Sequence, residues 1–261
     1  MILQKIAEKT RLRVADEKSA LPLTEMRKRA ESMDHNTGFP FKRALAAPGL
    51  SFICEVKRAS PSKGIIAEDF PYLSIAEEYE AAGADAISCL TEPYWFKGSD
   101  RYLSEIAAAV NIPVLRKDFT VDEYMIYQAK TLGAAAVLLI CSILSREQLS
   151  EYLGIAHSLG MSALVEAHTE DEVQTAVSVG AGIIGVNNRD LKTFTVDINN
   201  SAKLRKLVPD NILFVSESGI KTPQDVAALR ENGTNAVLIG ETLMRSPDKR
   251  AALEQLRGNA V

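Results

Sequence analysis

Several charged residues of this chain stand where a protein core has no use for them, directly after short apolar runs. Glu55 and Lys57 flank Val56 at the end of one run. The two-residue period of extended chain puts both on one side and Val56 on the other. Lys117 follows Val114, Leu115 and Arg116, Glu166 follows the run 162–165, and Asn187 and Arg189 share a side after the run 183–186. An ammonium among carboxylates keeps its proton and can donate it to a carbonyl oxygen. Amide and guanidinium donors suit a hydroxyl or a carboxylate. Burying any of these charges unpaired costs several kcal/mol, so such positions call for a reason. Structural readings stand beside the chemical ones. Glu55 and Lys57 can form an internal ion pair with no chemical role, and Arg116, Lys117 and Asp118 can form a surface cluster. Arg189 can pair with Asp190 or Glu166, and His168, one of three histidines, reads more readily as structural than as catalytic.

Two further run ends differ. The segments 216–220 (Ser-Glu-Ser-Gly-Ile) and 239–242 (Ile-Gly-Glu-Thr) each place a glycine, Gly219 or Gly240, just before a helical stretch. Glycine lets the backbone approach an anion, and helix N-terminal N–H groups favour a phosphate. Apolar candidates for a flat pocket are Tyr94, Trp95, Phe96, Phe119, Leu138 and Leu191. The ligand inferred from these positions has a phosphate end, an apolar end, and a carbonyl or hydroxyl centre near Glu55, Lys57, Lys117 and Glu166.

The elements that must hold these groups follow from a repeated punctuation. Glycines at 83, 133, 180 and 233 each end a helical-looking stretch and precede an apolar run, as a left-handed helix cap requires. Eight short runs (52–56, 86–90, 113–115, 136–140, 162–165, 183–186, 212–215 and 236–239) read as buried parallel strands. Stretches such as 72–82, 122–132, 146–159 and 222–232 carry apolar residues at helical spacing between them. Strand then helix, eight times, predicts an α/β fold of the (β/α)8 TIM-barrel kind, with function at the C-terminal ends of the strands. An open doubly wound sheet is the alternative, but no G-x-G-x-x-G follows the first strand. Residues 1–50 form a helical N-terminal extension, with helices at 2–14 and 23–33, Pro22 in a first turn and a turn at 34–38. The extension is expected to pack on the barrel, across one of its ends, so 1–261 is expected to be one domain.

Composition narrows the class. The 261 residues hold 30 Lys+Arg against 34 Asp+Glu, a formal charge of −4, which argues against nucleic-acid binding. Cys54, Cys89 and Cys141 lie in apolar runs and read as reduced core residues. The charged N-terminus has no signal-peptide core, and the weakly polar stretch 133–144 is shorter than the about 20 residues of a membrane span. A cytoplasmic location is expected.

The sequence blocks EVKRASPSKG (55–64), LRKDF (115–119), LVE (164–166), GVNNRDL (185–191), ESGI (217–220) and IGE (239–241) run in order along the whole chain. They resemble the indole-3-glycerol phosphate synthase family of tryptophan biosynthesis. The resemblance implies conversion of 1-(2-carboxyphenylamino)-1-deoxyribulose 5-phosphate to indole-3-glycerol phosphate, carbon dioxide and water. It implies Lys117 as general acid at the sugar carbonyl, Glu166 as the carboxylate stabilising positive charge, and Glu55 as partner in the later proton transfers. Lys57 is implied near phosphate and sugar, Asn187 and Arg189 near the hydroxyls and reacting centre, and Ser60 at the substrate carboxylate. Ser218, Gly219 and Gly240, with the backbone of Glu241, match the phosphate cradle. Phe96, Phe119, Leu138 and Leu191 match the aryl side, and Leu238 is counted among the substrate- or phosphate-binding residues. Many relatives carry Ser where this chain has Glu241, so the Glu241 side chain is expected to turn away from the phosphate. No metal, no organic cofactor, no nucleic acid and no membrane partner is implied, and a monomer is expected. A Schiff-base aldolase using Lys57 or Lys117, an isomerase on the same fold, and a non-catalytic metabolite binder are the competing readings.

Overall fold

The computed structural model describes residues 2–190 and 193–258. Three helices lead the chain: α1 (Ile2–Ala20), α2 (Leu23–Glu31) and α3 (Pro40–Leu45). Strand β1 (Ser51–Val56) is followed by a small hairpin, β2 (Ala59–Ser60) with β3 (Gly64–Ile65), and by α4 (Tyr72–Ala81). Strand and helix then alternate: β4 (Ala86–Leu90), α5 (Asp100–Ala109), β5 (Val114–Lys117), α6 (Glu123–Thr131), β6 (Ala136–Ile140) and α7 (Arg146–Ser158). They continue through β7 (Ser162–Ala167), α8 (Glu170–Ser178), β8 (Ile183–Asn187), α9 (Asn199–Arg205), β9 (Leu213–Glu217) and α10 (Pro223–Glu231). Strand β10 (Ala236–Ile239), the short α11 (Glu241–Met244) and α12 (Lys249–Arg257) complete the order.

The eight long strands close into a barrel in the order β1-β10-β9-β8-β7-β6-β5-β4, every pair parallel. This is the (β/α)8 architecture that the punctuation predicts. Gly83 and Gly133 both take φ +84°, the left-handed cap that turns the chain out of a helix and into a strand. Side chains alternate as a barrel demands. Phe52, Cys54 and Val56 face the surrounding helices, while Ile53 joins an inner cluster with Ala86, Leu115, Ala136, Leu164 and Val215. Cys54 and Cys89 are buried free thiols, pushed far up in pKa by burial, as small core residues are.

The N-terminal extension meets the barrel at both ends. Phe41 and Leu45 of α3 are fully buried in the inner cluster and plug the N-terminal end of the strands. There Ser51 Oγ donates to the Ala44 carbonyl, and Lys42 N–H donates to Ser162 Oγ. Helices α1 and α2 are tied to α6 by Lys18–Asp122 at 2.6 Å and Arg27–Glu123 at 2.7 Å. These cross-element pairs explain why α1 runs on to Ala20 rather than ending near residue 14. Pro22 takes the cap position of α2, one residue before the first turn, and α3 was not anticipated. Strands β5, β7 and β9 also extend further than the apolar runs, because their polar ends remain in the ladder: Glu217 is registered with both Leu238 and Asn187. Among the described residues no helix is long and apolar enough to cross a membrane.

Candidate active site

A cavity of about 600 Å³ opens at the C-terminal ends of the strands. Glu55, Lys57, Ser60, Phe96, Lys117, Phe119, Leu138 and Glu166 line it, as do Asn187, Arg189, Ser218, Gly219, Leu238, Gly240 and Glu241. The sequence reading named all of these. Leu191, also named, lies outside the described residues.

The floor of the cavity is a buried charge cluster. Lys117 Nζ lies 2.9 Å from Glu166 Oε2 and 2.7 Å from Glu217 Oε2, with both carboxylates almost wholly buried. Burial alone would pull the lysine pKa down, but Glu166 and Glu217 outweigh it and hold the side chain firmly as an ammonium. The two carboxylates separate. Burial would raise Glu166, yet Lys117, His168 and an Asn187 hydrogen bond carry it below its ordinary range. Glu217 goes the other way, raised by burial and by the like charge of Glu166 more than Lys117 lowers it. Groups pushed apart in this way are suited to opposite acid and base roles.

Glu217 stands in the segment 216–220, which reads from sequence as an anion-binding strand exit, and the structure adds it to the candidate residues. The signal was present. Val215 faces the barrel interior, so Glu217, two residues on, must as well. Gly185 was a second signal, because a Cβ there would collide with the Glu217 carboxylate.

A second pair stands beside the first. Lys57 Nζ donates to Glu55 Oε1 at 2.5 Å, confirming that both residues share the inner side, and Ser88 Oγ lies 3.5 Å from Glu55 Oε2. A Cβ on Gly240 would strike the Glu55 carboxylate and come 2.9 Å from Lys57 Nζ, so glycine is what lets the last strand approach this pair. The surface-cluster reading of Arg116 and Asp118 fails. They are 2% and 1% exposed and point to the opposite side of β5 from Lys117. There Asp118 accepts from Arg13 and Thr91, and Arg116 donates to Asp100 and to the Met125 carbonyl.

Asn187 Oδ1 accepts the Arg189 N–H at 3.0 Å, and the Arg189 guanidinium donates to the Phe194 carbonyl. Ser218 (φ +69°) and Gly219 (φ +86°) follow in a left-handed pair. Two successive residues at positive φ make a sharp turn at the strand exit, and Gly219, with no Cβ, lets the backbone there come close to an anion. Buried Asn188 holds the turn, donating to the Ser218 carbonyl and Ser216 Oγ while accepting from Ser201. The Glu241 carboxylate accepts from Arg245 Nε at 3.1 Å and lies 3.6 Å from Lys63 Nζ, so its charge is balanced beside the cradle.

The apolar side is built by Phe96 and Phe119, ring centroids 5.9 Å apart, with Leu138 and Leu238 beneath. Fully buried Glu92 accepts the backbone N–H groups of Tyr94, Trp95 and Phe96, which fixes the loop and aims only Phe96 inward. Tyr94 and Trp95, expected in the pocket, do not line it. Tyr94 instead carries Lys9 over its ring. Ile2, Leu3 and Ile6 of α1 form part of the wall, a tertiary contact with no local sequence signal.

Comparison with known proteins agrees with this geometry. Residues 3–256 match the family model described as indole-3-glycerol phosphate synthase. A protein of that name from Ruminiclostridium cellulolyticum is 56% identical over 260 residues, covering 100% of both chains. Another from Endomicrobium trichonymphae is 54% identical, covering 98% of this chain and 100% of its own. Among solved structures, a 3-hexulose-6-phosphate synthase superposes with a TM-score of 0.63 at 16% identity, over 81% of this chain and 100% of that one, which speaks to the fold alone. A match spanning nearly the whole sequence, with identities above half, places this chain in the indole-3-glycerol phosphate synthase family.

Proposed function

We propose that the chain closes the indole ring of 1-(2-carboxyphenylamino)-1-deoxyribulose 5-phosphate, releasing carbon dioxide and water, with Lys117 as the acid. The observation that carries this reading is the Lys117 ammonium, gripped by Glu166 and Glu217 between an aromatic wall and a glycine-lined anion turn. Ring closure needs a proton delivered to a ketone oxygen as the aryl carbon attacks, and a negative charge beside the iminium-like centre that follows. Lys117 supplies the first and Glu166 the second. A lysine held this firmly protonated is a poor amine nucleophile, which disfavours the Schiff-base aldolase.

In this reading Glu55, paired to Lys57, serves the later proton transfers of dehydration, and Lys57 Nζ, which a Cβ on Gly240 would meet, stands toward the phosphate side. Ser218, Gly219, Gly240 and the Glu241 backbone take the phosphate. Phe96, Phe119, Leu138 and Leu238 take the aryl ring, Ser60 its carboxylate, and Asn187 and Arg189 the sugar hydroxyls. Anchoring both ends of a flexible substrate away from the reacting carbon favours the bent pose that closure requires. The protein is taken to work in the cytoplasm as a monomer. Purified protein given the substrate should show rising indole fluorescence with release of carbon dioxide. A flat trace from folded protein refutes the assignment.

A further inference from the structure

His168 immediately follows β7 and stands two positions beyond Glu166, on the same side of the chain. Its ring lies between two carboxylates, with Nε2 3.5 Å from Glu166 Oε1 and Nδ1 3.4 Å from Glu172 Oε2. Among the described residues neither buried ring nitrogen makes a hydrogen bond, so these two carboxylates at ion-pair distance are its polar neighbours. A carboxylate only accepts. A neutral imidazole has one N–H and one lone pair, so one of its nitrogens would turn a lone pair toward an anion, whereas an imidazolium donates in both directions. The ring is held in this position from two helices. Glu172 of α8 also accepts the His168 backbone N–H at 2.6 Å, and Asn200 of α9 donates to the His168 carbonyl.

The charged and titratable surroundings comprise Glu166 on β7, Glu172 on α8, Glu217 on β9, Lys117 on β5 beyond Glu166, and the Cys141 thiol next to Glu172. The anions outnumber the cation. Glu166 thus has a basic side chain near each of its oxygens, Lys117 Nζ at Oε2 and the His168 ring at Oε1, while among the described residues Glu217 has an ion pair with Lys117 alone.

We propose that His168 is a positioning residue, held as an imidazolium behind Glu166, which keeps Glu166 ionised with Oε2 turned to Lys117 and leaves Glu217, of the two carboxylates on Lys117, as the one that can take up a proton, Glu55 keeping the later transfers. The inference rests on the assignment of Lys117 and Glu166 above and adds to it a second cation and a division of labour between two acids. In support, burial pulls the His168 pKa down, but Glu172 and Glu166 outweigh it and carry it above the ordinary 6.5. As pH rises through that raised value the imidazolium is lost and Glu166 keeps one cation of two. Turnover then falls on the alkaline side while substrate binding, made elsewhere in the cavity, is retained.

Proton NMR of the ring signals of the three histidines, assigned by elimination with His35→Gln and His157→Gln as well as with His168→Gln, reads the titration without any activity. A His168 midpoint above 6.5 is expected, and one below it overturns the proposal. Steady-state profiles from about pH 5.5 to about 9.5 then compare the wild type, His168→Gln and Glu172→Gln. His168→Gln should lower kcat about tenfold, as the loss of one nearby charge beside Glu166 would, with KM unchanged within about twofold. The alkaline break owed to His168 should disappear in this variant and move to lower pH in Glu172→Gln. A His168→Gln profile that keeps the wild-type break overturns the proposal. Should that variant fail to fold, the wild-type NMR midpoint and the Glu172→Gln shift decide the question. A wild type that folds but turns over no substrate refutes the functional reading instead, and the NMR midpoint still judges this one.

Discussion

Replacing Lys117 by Met keeps an unbranched side chain one atom shorter and removes its charge. Nζ holds two carboxylate oxygens at 2.9 and 2.7 Å, and Glu166 and Glu217 are 3% and 1% exposed. Removing one partner of a buried ion pair costs about 3–5 kcal/mol, because the remaining charge is left uncompensated. Each pKa unit is worth about 1.4 kcal/mol, so a carboxylate can relieve part of that cost by binding a proton. Glu217 is poised for this, raised to about 7 even with Lys117 present. A carboxylate with a raised folded pKa binds its proton more tightly when folded than unfolded. Its contribution is complete below the ordinary 4.5 and is lost as pH rises through the folded value. In the wild type that loss ends near 7, whereas in Lys117→Met the folded value climbs and the window extends upward. Urea denaturation followed by circular dichroism at several pH values should therefore show the variant losing about 1.4 kcal/mol per pH unit more than the wild type above about pH 7. Turnover should fall about 10²- to 10⁴-fold, the usual range for a lost general acid. Parallel stability curves for the two proteins, or near-normal turnover, refute the reasoning.

Other substitutions test the remaining parts. Gly240→Ala places a methyl group against the Glu55 carboxylate and Lys57. It should lower kcat/KM about tenfold through an overpacking strain of 1–3 kcal/mol, with the circular dichroism spectrum unchanged; steady-state kinetics equal to the wild type would show that the close approach is not needed. Phe41→Ala empties a fully buried site at the far end of the barrel. It should cost about 3–5 kcal/mol in denaturation while leaving kcat nearly untouched below the melting range, and a large kcat effect would mean that the plug reaches the chemistry.

The barrel was legible because its strands are short apolar runs set off by helix-capping glycines, a pattern written locally. Glu55, Lys57, Lys117 and Glu166 were legible because charge follows directly on those runs. What escaped was tertiary in origin. Phe41 and Leu45 look like any short helix until the inner cluster receives them, and Ile2, Leu3 and Ile6 gain meaning only when α1 reaches the cavity. Tyr94 and Trp95 were misplaced because a single buried carboxylate, Glu92, dictates which way their loop turns. Glu217 is different. The two-residue alternation applied to Glu55 would have found it, but flanking serines and a glycine made the segment read as anion-binding backbone alone.

Plugging the lower end of the barrel with Phe41 and Leu45 has a consequence for traffic. Among the described residues the lower end is stoppered, so whatever is made inside departs at the rim by which the starting material entered, from a cavity that Ile2, Leu3 and Ile6 help to line. Three leaving species would queue at one gate, and the first turns of α1 are its jamb.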